Sequence, residues 1–87
     1  KNLYLSIDIR NKEALPELFL NKLNELISRH VIVSDLRRID SRDSSFEATY
    51  FIDIKNHDKL SNLVDELHVT FSGIGVTFLD QNRIPVD

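Results

Sequence analysis

The 87-residue chain contains no cysteine, no methionine and no tryptophan, and only two glycines and two prolines. Without cysteine it can form no disulfide, no zinc–thiolate centre and no thiol nucleophile. Heavy-metal carriers that rely on paired cysteines are excluded with them. A cysteine-free chain suits the cytoplasm, which is the expected compartment. Methionine is missing even from position 1, so the expectation is a domain cut from a longer protein, with its function vested in that parent. No apolar run approaches the roughly 20 residues of a membrane span, and no signal-peptide layout precedes Leu3. The segment is therefore expected to be soluble, with no direct membrane insertion. Basic residues are outnumbered 11 to 14, giving a net charge of −3. That balance argues against nucleic acid or an anionic membrane as the partner.

What is present is ordinary globular material: 41% hydrophobic and 29% charged residues. The length fits one small domain, residues 1–87. Such a chain buries only about two thirds of its unfolded surface, so its core is modest and burial against a partner would help it.

The hydrophobic rhythm carries the most information. Leu3, Leu5, Ile7 and Ile9 alternate with Tyr4, Ser6, Asp8 and Arg10, the pattern of a half-buried strand. After the connector Asn11-Lys12-Glu13, Pro16 fits the first turn of a helix. Leu15, Leu18, Phe19, Leu23, Leu26 and Ile27 then recur at helical spacing, to an end near Arg29-His30. The β-branched run His30 to Leu36 opens a second strand, expected to reach about Ile39. Residues 40–45 have turn chemistry. Phe46, Ala48, Tyr50, Ile52 and Ile54 mark a third strand. Asp58 is expected as the N-cap of a second helix carrying Leu60, Leu63, Val64 and Leu67 to about Thr70, with Gly73 as its C′ residue. Ile74, Val76 and Phe78 form the last strand.

The order β-α-β-β-α-β is that of a ferredoxin-like α+β sandwich, a four-stranded antiparallel sheet with two helices on one face. The expected strand order is 4-1-3-2, with strands one and three at the centre and taken as parallel partners. Tyr4, Phe51 and Leu79 should project from the bare sheet face among Ser6, Asp8, Glu47, Thr49 and Asp53, a mixture suited to a wet protein contact.

From Tyr4 to Leu79 the chain resembles the ACT-like regulatory domains. The ending Leu63-Val64-Asp65-Glu66-Leu67 … Gly73-Ile74-Gly75-Val76-Thr77-Phe78 is similar to that family's second helix, short turn and last strand. It also resembles the soluble domain that follows the membrane region in bacterial MgtC-like and related proteins. The resemblance implies a non-catalytic regulatory or assembly module of a larger protein, a membrane protein in the MgtC-like case, with a second copy of the chain or another protein as its partner. Amino-acid-binding ACT domains usually place a Pro-Gly pair between strand one and helix one. Here Asn11, Lys12 and Glu13 occupy that ligand loop without a glycine, and a Cβ at each position obstructs close approach of a ligand to the backbone. The alternative function is a sensor of an amino acid or nucleotide at this loop.

Other chemistry is thinner. His30, His57 and His68 match no metal-ligand spacing. Asp8 and Asp53 share the open face and neighbouring strands, but no nucleophile, base and oxyanion donor assemble around them. Arg37, Arg38 and Arg42 alternate with Asp35, Asp40 and Asp43, as salt-bridged surface strands do. Acylphosphatases share the element order, yet their phosphate loop has no counterpart at Asn11-Lys12-Glu13. RNA-recognition domains stack bases on aromatics of strands one and three. Tyr4 and Phe51 could serve, but Asp8, Glu47 and Asp53 would repel phosphate. No catalytic residue, cofactor or metal is expected.

Overall fold

The computed structural model describes residues 1–10, 16–42 and 45–80. Six elements follow in order: β1 (Asn2–Arg10), α1 (Pro16–Ser28), β2 (Val33–Arg42), β3 (Ser45–Asp53), α2 (His57–Thr70) and β4 (Gly75–Asp80). They form a four-stranded sheet in the order β2-β3-β1-β4. Every adjacent pair is antiparallel. This corrects the expectation that the two central strands are parallel. Each helical crossover returns the chain parallel to the strand it left but one place further over, so the strand between runs the opposite way.

The alternation in β1 and β3 sets the two faces. Leu3, Leu5, Ile7 and Ile9 of β1 and Phe46, Ala48, Tyr50 and Ile52 of β3 are all buried. They share one core with Leu23, Leu26 and Ile27 of α1 and Leu63 and Leu67 of α2, so both helices lie on the same side of the sheet. Phe19 of α1 stacks on Phe46 at 5.3 Å and on Phe71 at 4.8 Å, joining both helical ends to β3. Burying a side chain of this size contributes about 1.5–3 kcal/mol, so this stack closes one end of the small core.

Several boundaries differ from the sequence reading. β2 runs on through Asp40 to Arg42, where a turn was expected. It is an edge strand exposed along nearly its whole length, so burial leaves no alternation to read. An irregularity between Leu36 and Arg38 inserts Arg37 as an extra residue. Asn56, not Asp58, caps α2. Its extended backbone (φ −158°, ψ 179°) lets its side chain accept from the Lys59 N–H at 2.9 Å, while Asp58 sits in the first turn. Phe71 has already left the helix (φ −119°, ψ 106°). Gly73, at φ +76°, therefore serves as the third residue of the Phe71–Ile74 turn rather than as the C′ of α2.

Candidate interaction face

The sheet register places Leu79 of β4 opposite Tyr4 of β1, Tyr4 opposite Phe51 of β3, and Phe51 opposite Asp35 of β2. Three residues far apart in sequence thus stand side by side on the face the helices do not cover. Tyr4 and Phe51 meet edge-on, with ring centroids 5.2 Å apart and planes inclined by 64°. Arg37 lies over the Phe51 ring at 5.2 Å and holds Asp35 through its Nε at 2.9 Å. Leu79 is 44% exposed. The row is a strip of apolar surface about three strand spacings wide, or roughly 15 Å, with one cation laid on it.

The next rows change character. Thr49, Ser6 and Thr77 stand opposite one another, followed by Asp40, Glu47, Asp8 and Gly75. Asp8 leans over Gly75 so closely that a Cβ there would fall 2.6 Å from its Oδ2. Arg42, Ser45 and Arg10 end the face. Asp8 and Asp53 do share the face but do not converge: Asp8 stands opposite Glu47, and Asp53 opposite Asn2. The arginine–aspartate alternation of β2 forms ion pairs, Arg37 with Asp35 and Arg42 with Asp40 (3.2 Å).

Away from this face, Glu66 of α2 accepts from Arg29 Nη2 at 2.7 Å and from His30 Nε2 at 2.5 Å. The hydrogen bond from His30, with the charge of Arg29, holds the Glu66 carboxyl below its ordinary pKa. His57 opens α2 and His68 lies in its last turn. Among the described residues no group of three or more His, Cys, Asp or Glu side chains is placed to hold a metal. Tyr50 is 2% exposed, and its hydroxyl donates to Asn24 Oδ1 of α1. Burial pushes the phenol well above its usual range. This pair floors an open hollow of about 460 Å³ between α1 and β2, lined also by Glu25, Ser28, Ser34 and Leu36. The expected ligand loop, Asn11, Lys12 and Glu13, lies outside the described residues.

Sequence reasoning located the aromatic row but missed Arg37 on Phe51, because the irregularity that makes Arg37 an inserted residue leaves no mark in composition or period. It also missed the Asn24–Tyr50 pair. A polar residue at position 24 among the apolar helical positions was the available signal.

Comparison with solved structures agrees with the topology. The ACT domain from GTP pyrophosphokinase of Chlorobium tepidum matches 91% of this chain and 100% of its own, with 26% identity and a TM-score of 0.57. The chain is thus similar to an ACT domain over nearly its whole length. Its ferredoxin-like fold is also shared by an uncharacterized Thermotoga maritima protein (16% identity, TM-score 0.60, 91% and 94% of the two chains). A hypothetical protein from Sulfolobus islandicus rod-shaped virus 1 shares it too (14%, 0.60, 90% and 65%). A de novo designed protein also matches this chain, at 14% identity and a TM-score of 0.55 over 92% and 96% of the chains. No protein-family model and no curated protein matches the sequence. No helix among the described residues is long and apolar enough to cross a membrane.

Proposed function

We propose that this ACT-like domain is a non-catalytic regulatory or assembly module of a larger cytoplasmic-side protein, acting by self-association or protein contact through its bare sheet face. The observation that carries this reading is the row Leu79, Tyr4, Phe51, set on the face opposite both helices and flanked by charged side chains. An apolar centre with a polar rim is the anatomy of a protein contact. The likeness to the ACT domain of an enzyme that is itself a larger protein supports the regulatory half of the reading.

Phe51→Lys tests the surface. Lysine keeps the strand position but removes the ring that Tyr4 and Arg37 contact, and sets a second cation beside Arg37. Sedimentation equilibrium should show weaker self-association than wild type, with far-UV circular dichroism unchanged. An unchanged association constant removes this face from the account. The parent is proposed to be membrane-bound, of the MgtC-like kind; native protein recovered wholly in the soluble fraction counts against that.

The second reading is a small-molecule sensor at Asn11, Lys12 and Glu13, favoured by the same ACT-domain likeness. A ligand there would shift assembly only by its differential affinity for two states. Saturable chemical shifts at the flanking residues Arg10 and Glu17 on adding an amino acid or nucleotide would support it.

A further inference from the structure

We propose that the hollow between α1 and β2 is a binding site for a small primary alkylammonium ion that carries no carboxylate. The site uses neither the Phe51 face nor the loop Asn11 to Glu13, so it stands or falls apart from both readings above. Its volume of about 460 Å³ lies within the roughly 300–1,000 Å³ of small-molecule sites. Its lining comes from three elements of one chain: Asn24, Glu25 and Ser28 of α1, Ser34 and Leu36 of β2, and Tyr50 of β3. Ser34 and Leu36 stand opposite Ile52 and Tyr50, which places them on the helix side of the sheet. Tyr50 lies five residues along β3 from Ser45, the residue opposite Arg10. The hollow is therefore about 17 Å along the strands from the end of β1 that leads to Asn11.

The charge of the hollow has one sign. Glu25 is the one charged residue of the lining. Two cations of α1 lie within reach of it by helical spacing, and both are engaged elsewhere. Lys22, three residues before it, sits over the Phe71 ring at 6.0 Å. Arg29, four residues after it, donates to Glu66 at 2.7 Å. Arg37 of β2 lies over Phe51 on the opposite face of the sheet. Glu25 itself forms no ion pair among the described residues.

The hydrogen-bonding capacity leans the same way. Ser28 donates its hydroxyl to the Glu25 carbonyl at 2.8 Å, and Tyr50 donates its hydroxyl to Asn24 Oδ1. Both donors are spent, and the lone pairs of Ser28 Oγ and the Tyr50 phenol oxygen remain to accept. With the Glu25 carboxylate they make an acceptor-rich wall and floor. A primary ammonium brings three donors and no acceptor, and its bond to a carboxylate is charge-assisted. Leu36 and the Tyr50 ring give its carbon chain apolar surface. A carboxylate or phosphate on the ligand would meet Glu25 with no cation to offset it, so the site rejects free amino acids and nucleotides by repulsion.

Amide-resolved NMR titration of the whole 87-residue chain at about pH 7, where an alkylamine is protonated, tests this with three probes. Butylamine carries the chain and the charge. Norvaline is the same amine with a carboxylate on the carbon that bears the nitrogen, and butanol has the chain without the charge. Butylamine should give saturable shifts at Asn24, Glu25, Ser28, Ser34 and Leu36, with a Kd of about 1–10 mM. Norvaline and butanol should each bind at least about tenfold more weakly. Glu25→Gln keeps the shape of an exposed side chain and should raise the butylamine Kd about tenfold. Glu17→Gln, which removes an exposed carboxylate from the other end of α1, should change it by less than about twofold. Butylamine shifts that stay linear to about 100 mM, or that scatter over Asp8, Asp40 and Glu47, overturn the site. So does a Glu25→Gln chain that binds butylamine as well as wild type, or norvaline that binds as tightly as butylamine.

Discussion

Removing the Tyr50 hydroxyl should have opposite consequences at neutral and alkaline pH. The phenol is buried on the core face of β3 and donates to Asn24 of α1, a half-buried residue beside an open hollow. Tyr50→Phe keeps the ring and deletes one hydrogen bond. Asn24 can turn to water, so the loss at pH 7 should be about 0.5–1.5 kcal/mol, a fall in Tm of roughly 4–8 °C per kcal/mol for a domain of this size. At high pH the sign of the difference changes. Burial raises the folded-state pKa of Tyr50 above its ordinary value of 10.0. Above about pH 10 the unfolded chain releases this proton and the folded chain keeps it, so wild-type stability falls by about 1.4 kcal/mol per pH unit until the folded pKa is reached. Phenylalanine has no such proton. Other titrating groups are common to both chains and cancel in the difference. With a neutral-pH deficit of about 1 kcal/mol, the two stability curves should cross near pH ~10.7. Urea unfolding of both proteins from about pH 7 to 11.5 measures this directly. A gap that stays constant across that range would refute the reasoning, because it would mean that the Tyr50 phenol ionises as freely in the folded chain as in the unfolded one.

Two further outcomes concern the helices. Glu66→Gln removes a carboxylate whose folded pKa is depressed from its ordinary 4.5 by His30 and Arg29. The stability it contributes is complete above that unfolded value and is lost as pH falls through the folded one, so wild type should exceed Glu66→Gln in Tm near about pH 6 and the difference should vanish on acidification. Asn56→Ala removes the cap of α2 and should cost about 0.5–2 kcal/mol, while Asn56→Asp retains most of it; thermal melts of the three proteins compare them.

The fold was legible where burial is one-sided. In β1 and β3 each second residue enters the core, so period two appears in the sequence, and the β-α-β-β-α-β order follows. β2 has little core to face, and its charged stretch Arg37 to Arg42 reads locally as a turn although it pairs with β3 throughout. Caps were less visible because Asn56 and Asp58 are both good candidates by residue type, and only the extended backbone at Asn56 separates them. The mistaken parallel pairing of the central strands was a topological error rather than a missing signal, since the two crossovers already dictate the strand directions. At the candidate face the alternation placed Tyr4, Phe51 and Leu79 on one side. The register that aligns them in a single row depends on long-range pairing that no local pattern encodes.

Amide-resolved NMR of the chain at two protein concentrations, with and without pooled amino acids, nucleotides and a short mixed RNA, tests assembly against sensing most directly. The account predicts broadening or shifts that depend on protein concentration at Tyr4, Phe51 and Leu79, and no saturable response to the small molecules or the RNA. Spectra independent of concentration, with ligand shifts clustered beside Asn11 to Glu13 or with RNA shifts at Tyr4 and Phe51, would contradict it.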